Sequence, residues 1–208
     1  MLDGVNKNKK GARRKRHSTK GVKTRARILD RAAQLFSKHS YADLGLQSLA
    51  AACGLSKAAL FTHFKSKRQL YVQCVGQVFK NLLDAYVPSA AAKTARAKLC
   101  HYLDWLCPVM SENRLMCRLT LRMVLDHDVE LARDLLPGSF GRTHDYLVSL
   151  LTDLHPKKDV RVMVFFLYAI LTLNEELVEF AEIWTPTTAS MVGGKKTAAY
   201  LERMILAW

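Results

Sequence analysis

From residue 23 the apolar positions Ile28, Leu29, Ala32, Ala33, Leu35 and Phe36 recur at spacings of three and four, with Arg25, Arg27, Asp30 and Arg31 mostly between them. That period predicts an amphipathic helix ending near His39. A polar break over 40–45 follows, closed by Gly45, an acceptable helix N-cap. Leu46, Leu49, Ala50 and Cys53 then fall at i, i+3, i+4 and i+7, which predicts a short helix with one apolar stripe, ended by Gly54 and Leu55. Ser56, a strong N-cap residue, opens a second short helix over 57–64, with Leu60, Phe61 and Phe64 as its inward positions. Ser66 caps a further helix that runs through Leu70, Val75, Phe79 and Leu82 toward Tyr86 and stops before Pro88.

The remainder keeps the helical period. Helices are expected over 93–110, 114–125, 129–136, 140–154 and 160–180, then, after a Thr/Gly/Pro-rich loop over 185–194, over 195–207. Runs of alternating β-branched residues are missing, as is an internal repeat. The expected fold class is therefore all-α: an N-terminal three-helix helix-turn-helix domain over 23–68 and a C-terminal helical domain over 69–208.

Charge changes this picture. Residues 1–72 hold 17 Lys and Arg against three acidic residues, whereas residues 73–208 hold 15 of each, so the whole net charge of +14 lies in the first third. Segregation of this kind suits a polyanion-binding module joined to a neutral partner domain. Residues 1–22 carry eight of those cations, including Arg13, Arg14 and Arg16, with almost nothing apolar to bury. They read as a disordered basic arm, either a solvated tail or a segment that reaches phosphates or a narrow minor groove.

A recognition helix needs small and basic residues on its front turn and large apolar ones behind. Lys57, Ala58 and Ala59 fit the front; Leu60 and Phe64 fit the back. Thr62, His63 and Lys67 fall where the chain would leave the groove, and all three can donate to phosphate oxygens; Ser48 is a further candidate DNA contact. His63 could equally be a core histidine, but its neighbours on this turn favour the phosphate contact.

The set Ile28-Leu29-Ala32-Leu35-Phe36, Leu49-Ala50, Cys53-Gly54-Leu55-Ser56 and Leu60-Phe61-Thr62-His63-Phe64 with Lys65-Ser66-Lys67 resembles the N-terminal region of the TetR family of transcriptional regulators. The resemblance spans 23–70 in detail and the rest only as a helical layout. It implies a homodimer whose two recognition helices enter successive major grooves of a near-palindromic double-stranded DNA operator, with repression relieved by a small-molecule effector in the C-terminal domain. The resemblance also implies that Lys57, Ala58 and Ala59 face bases while Phe61, Thr62, His63 and Lys67 lie on the phosphate side; two positions depart from the family's habit, Phe61 standing where Tyr is frequent and Gly45 where Thr is common.

Trp105, Met110, Met116, Met123 and Phe166 are candidate ligand-binding residues, since thioethers and aromatics suit variable apolar ligands, although ordinary packing accounts for them too. The segments 140–154 and 160–180 are candidates for the dimer contact, because a helix apolar on nearly every side needs cover all round. Neither GxSxG, HExxH nor a phosphate-cradling glycine loop occurs, so no catalytic residue, metal or cofactor is expected. Five scattered cysteines without a CxxC pair, and no apolar run of membrane-spanning length, suggest a reduced cytoplasmic protein with no membrane partner. The rival reading is a basic helical nucleic-acid-associated protein without operator specificity.

Overall fold

The computed structural model describes the backbone of residues 5–127, 129–135, 137–184 and 194–207, and along the first helix it describes side chains from residue 21. Every regular element among the described residues is helical: α1 (Val5–Phe36), α2 (Leu46–Ala52), α3 (Lys57–Phe61), α4 (Lys67–Leu83), α5 (Ala95–Glu112), α6 (Arg114–Leu125), α7 (Val129–Leu135), α8 (Ser139–Leu154), α9 (Val160–Trp184) and α10 (Gly194–Ala207).

The helices form where the apolar period lies. On α1, Ile28, Ala32, Ala33 and Phe36 are buried and face α4, which returns Leu70, Tyr71, Cys74 and Val75. Phe36, Tyr41 and Tyr71 form an aromatic wedge there, with Phe36 edge-on to Tyr71 at 4.7 Å between ring centroids. Such pairs add about 0.5–1.5 kcal/mol beyond the area they bury. The helix begins far earlier than Lys23, however. Residues 5–22, expected as a disordered arm, continue α1 as helical backbone. Lysine, arginine and alanine are good helix formers and no proline intervenes, so the packed turn at 28–36 propagates backward at one hydrogen bond per residue. The side chains of Arg13, Arg14 and Arg16 lie outside the described residues.

In the C-terminal part, α5 packs on α8, α9 and α10, and α8 packs on α4 and α9. Leu99, Tyr102, Leu103 and Leu106 of α5, Leu147, Leu150 and Leu151 of α8, and Val164, Leu167 and Leu171 of α9 supply its interior. These join the N-terminal apolar residues in one connected cluster from Ile28 to Ile205, and α4 carries contacts to both ends of it. All five cysteines are free thiols, four of them buried. Burial pushes the Cys107 thiol up to about 12 and raises Cys53 and Cys74 as well. The loop expected over 185–194 lies outside the described residues apart from Gly194, which opens α10.

Candidate nucleic-acid interface

The turn between α2 and α3 is built from backbone bonds that its sequence permits. The Gly54 N–H donates to the Ala51 carbonyl and the Leu55 N–H to the Ala50 carbonyl, each at 2.9 Å, which satisfies the last carbonyls of α2. Gly54 sits at φ +66°, a conformation in which a side chain is strained, so glycine is required here for its backbone freedom. Ser56 then caps α3, its hydroxyl accepting from the Ala59 N–H at 3.1 Å. Gly45 caps α2 through its backbone alone, with no side-chain bond.

Leu60 and Phe64 are buried to within 2% and hold α3 from behind. Lys57 and Ala58 are exposed at its first turn, Ala59 is half-buried, and Ser48 is exposed on the neighbouring α2. Thr62 is exposed and its hydroxyl donates to the Ala59 carbonyl at 2.7 Å. Phe61 was expected both as an inward residue and as a phosphate-side one; it is 40% exposed and therefore belongs to the outer surface. The reason is geometric: one position after Leu60, it is rotated by about 100° around a helix of 3.6 residues per turn.

Lys67 departs from its expected role. Its ammonium donates to the carbonyl of Tyr41 and, at 3.3 Å, to that of Ala42, and it lies 4.5 Å from the Tyr41 ring centroid. Desolvation lowers its pKa. In this geometry the charge ties the loop before α2 to the start of α4 and is not presented outward. His63 is half-buried, and its carbonyl accepts a hydrogen bond from Arg25.

Arg25 is the residue that sequence reasoning missed. From α1 its guanidinium donates to the His63 carbonyl and to the Gln73 side-chain oxygen, and it lies over the Phe64 ring at 4.2 Å. It thereby fixes the exit of α3 against α1 and α4. Its position among the other charges of a basic helix carried no signal that set it apart.

The candidate ligand residues do not converge. Met110 and Met116 are core, Met123 packs partly buried against the core, and Phe166 is 58% exposed on the outer face of α9, one step around the helix from Leu167, which takes the inner position. A cleft of about 450 Å³, open to solvent, lies elsewhere, between α4 and α8. Leu83, Asp84, Tyr86 and Pro88 line one side of it, and Arg142, Thr143 and Tyr146 the other. Of the expected set only Trp105 comes near, packing on Tyr86 at 4.8 Å between ring centroids. Tyr146 follows Arg142 by four residues and Thr143 by three, spacings that bring each pair together on α8. No group of three or more His, Cys, Asp or Glu that could hold a metal ion occurs among the described residues, nor is any described helix long and apolar enough to cross a membrane.

A supporting helix, a capped two-helix turn and a helical body together make a helix-turn-helix fold. Residues 28–74 match the family model for bacterial regulatory proteins of the tetR family. No curated protein matches the chain. Among solved structures, the fatty acid degradation regulator FadR from Bacillus halodurans is 15% identical, with a TM-score of 0.62 over 88% of this chain and 94% of that one. A protein from Saccharomonospora viridis solved in complex with choline is 17% identical, with a TM-score of 0.61 over 88% and 94%. The TetR family regulator PfmR from Thermus thermophilus is 22% identical, with a TM-score of 0.61 over 86% and 94%. The chain thus has the all-helical fold of TetR-type transcriptional regulators and, over residues 28–74, that family's N-terminal sequence.

Proposed function

We propose that this protein is a cytoplasmic, homodimeric transcriptional regulator, not an enzyme, that binds a double-stranded operator through α3 and is released from it by a small molecule, most simply as a repressor. The observation that carries the reading is the front of α3. Lys57 and Ala58 are exposed on a short helix clamped by Leu60 and Phe64, at the end of the chain that holds all of the excess positive charge. Small residues let the helix approach base edges, and Lys57 donates to guanine or phosphate acceptors. Ser48, Ala59, Phe61, Thr62 and His63 form the surroundings, and the basic residues of 1–22, Arg13, Arg14 and Arg16 among them, add phosphate attraction. The domains on this reading are the basic segment 1–22, the DNA-binding unit 23–68 and the effector and dimerisation unit 69–208.

Dimerisation is supported by α9. Its inner positions are buried, yet Val162, Phe165, Phe166, Ile170, Leu173 and Leu177 are all exposed on the described chain. Their spacing of three and four makes a continuous apolar stripe, the seam geometry of paired helices. A second copy covers it. Effector release is supported by the cavity at the C-terminal end of α4, whose opposite end abuts α1 beside the helix-turn-helix.

The test is selection of bound duplexes from random DNA, then footprinting. A short symmetric footprint is the expected result; uniform coverage indicates instead a basic nucleic-acid-associated protein without operator specificity. Lys57→Glu abolishes binding to the selected duplex while leaving the melting temperature unchanged, because the position is exposed. Deleting 1–22 weakens binding to all sequences and flattens the salt dependence.

A further inference from the structure

The α4–α8 cavity has a composition that selects among ligands. Its volume of about 450 Å³ suits a small organic molecule. Tyr86 and Tyr146 form an aromatic wall, their rings 5.5 Å apart between centroids, with the Tyr86 hydroxyl donating to that of Tyr146 at 3.4 Å. Tyr102 and Trp105 back this wall at 5.1 and 4.8 Å from Tyr86. Flat rings of this kind favour a flat apolar guest.

The polar inventory is lopsided. Arg142 is a donor only, the Tyr146 hydroxyl accepts from Tyr86 and keeps its own proton, the Thr143 hydroxyl donates to the Phe140 carbonyl, and the one lining side chain that only accepts is the Asp84 carboxylate. Behind the wall the hydroxyls of Tyr102 and Tyr168 are buried beside each other and beside Thr143. Asp84 already faces two cations, Lys80 from α4 and Arg142 from α8. Arg142 and Lys80 thus place two cationic groups beside the one lining carboxylate. When Arg142 turns to another acceptor, Asp84 keeps its pair with Lys80.

We propose that this cavity binds a planar aromatic carboxylate, its carboxylate on Arg142 and its ring against Tyr86 and Tyr146; the assignment names the effector class for the ligand-responsive reading and rests on it. A quaternary ammonium ligand, which an aromatic wall alone would suit, meets Arg142 at the mouth and finds the Asp84 carboxylate already neutralised.

The probe is 2-naphthoate, titrated into the full-length protein by calorimetry with no DNA present, and benzyltrimethylammonium is the comparator. Saturable binding of 2-naphthoate is expected, with the ammonium compound much weaker. Arg142→Ala lowers the naphthoate affinity by about tenfold or more, Arg142→Lys by less because the forked contact is lost while the charge stays, and Tyr146→Leu severalfold. An unchanged melting temperature of the Arg142→Ala protein shows that it is folded, since the pair it breaks is exposed. Absence of saturable heat with 2-naphthoate, equal affinity in Arg142→Ala, or tighter binding of the ammonium compound overturns the assignment. Displacement from the selected duplex is read separately. Naphthoate bound through Arg142 without DNA release sinks the effector reading and leaves the ligand class standing. DNA release by other compounds with no naphthoate binding does the reverse.

Discussion

Replacing Arg25 by alanine removes a brace that holds the exit of α3, the helix proposed to read DNA. The side chain makes two charge-assisted hydrogen bonds, to the His63 carbonyl and the Gln73 side-chain oxygen, and covers the Phe64 ring at 4.2 Å. Hydrogen bonds from a charged donor contribute roughly 1.5–3 kcal/mol each, with the half-exposed setting pulling both toward or below the lower bound. The ring contact adds about 0.5–1 kcal/mol. Because the bonds share one side chain and its ordering entropy, the net loss is about 2–3 kcal/mol. For a chain of this size that lowers the melting temperature by roughly 4–12 °C. Arg25→Lys keeps the charge near Phe64 but reaches one acceptor instead of two, and loses about half as much. The assay is thermal unfolding followed by far-UV circular dichroism, with affinity for the selected duplex measured on the same proteins. An Arg25→Ala protein that melts within about 1 °C of the parent refutes the brace, and an Arg25→Lys protein indistinguishable from the parent refutes the need for a forked donor.

Ser56→Ala removes the α3 cap and costs about 1 kcal/mol, read as a lower denaturation midpoint; Ser56→Thr restores most of it, and a midpoint unmoved in Ser56→Ala removes the cap from the account. Phe165→Glu places a charge on the exposed α9 stripe, where Phe165 is 68% exposed. Light scattering is expected to report a shift from dimer to monomer with helicity retained, whereas an unchanged mass places the dimer contact elsewhere.

Much of this fold was legible because helix boundaries coincide with punctuation that has a physical cause. Asn113, Pro137-Gly138 and Pro156 separate helices whose bounds the apolar period fixes nearly to the residue, as at Arg114–Leu125. The recognition unit was legible for the same reason: Gly54 and Ser56 specify a left-handed backbone position and a cap, and both do so in the structure. Long-range partners were not. Arg25 lies 38 residues from His63, and Lys67 turns back 26 residues to Tyr41, choices set by packing that no local pattern encodes. The cavity escaped notice because its walls come from the end of α4 and the start of α8, while methionines, the favoured sequence signal, pack well as ordinary core. The basic segment went the other way. Its lack of an apolar face argued against order, but helix propensity and continuity with a packed helix were the terms that decided its backbone.

Polar ties among the described residues join the helix-turn-helix to the helical body, and they bear on how a small ligand acts on DNA binding in the proposed reading. The Tyr41 N–H donates to the Asp126 carboxylate at 2.7 Å, Arg68 pairs with Asp134 at 2.7 Å, and Arg122 reaches the Lys38 carbonyl at 3.4 Å. The Arg68–Asp134 pair is nearly half exposed on both sides and contributes about 0–1 kcal/mol. The Asp126 bond, partly buried and charge-assisted, contributes about 1.5–2 kcal/mol. It is held in place by the turn after α6, where His127 adopts φ 50°, a conformation costly for a residue with a side chain. Allosteric couplings are typically about 1–3 kcal/mol, so the strength of this one bond is comparable with the whole effect a ligand needs to exert. Asp126→Asn keeps the shape and weakens the acceptor. On the proposed reading it changes the ligand-induced loss of DNA affinity by about three- to tenfold, while calorimetric affinity for 2-naphthoate in the absence of DNA stays within about twofold. Coupling that is identical in parent and variant removes this joint as the route between the two sites.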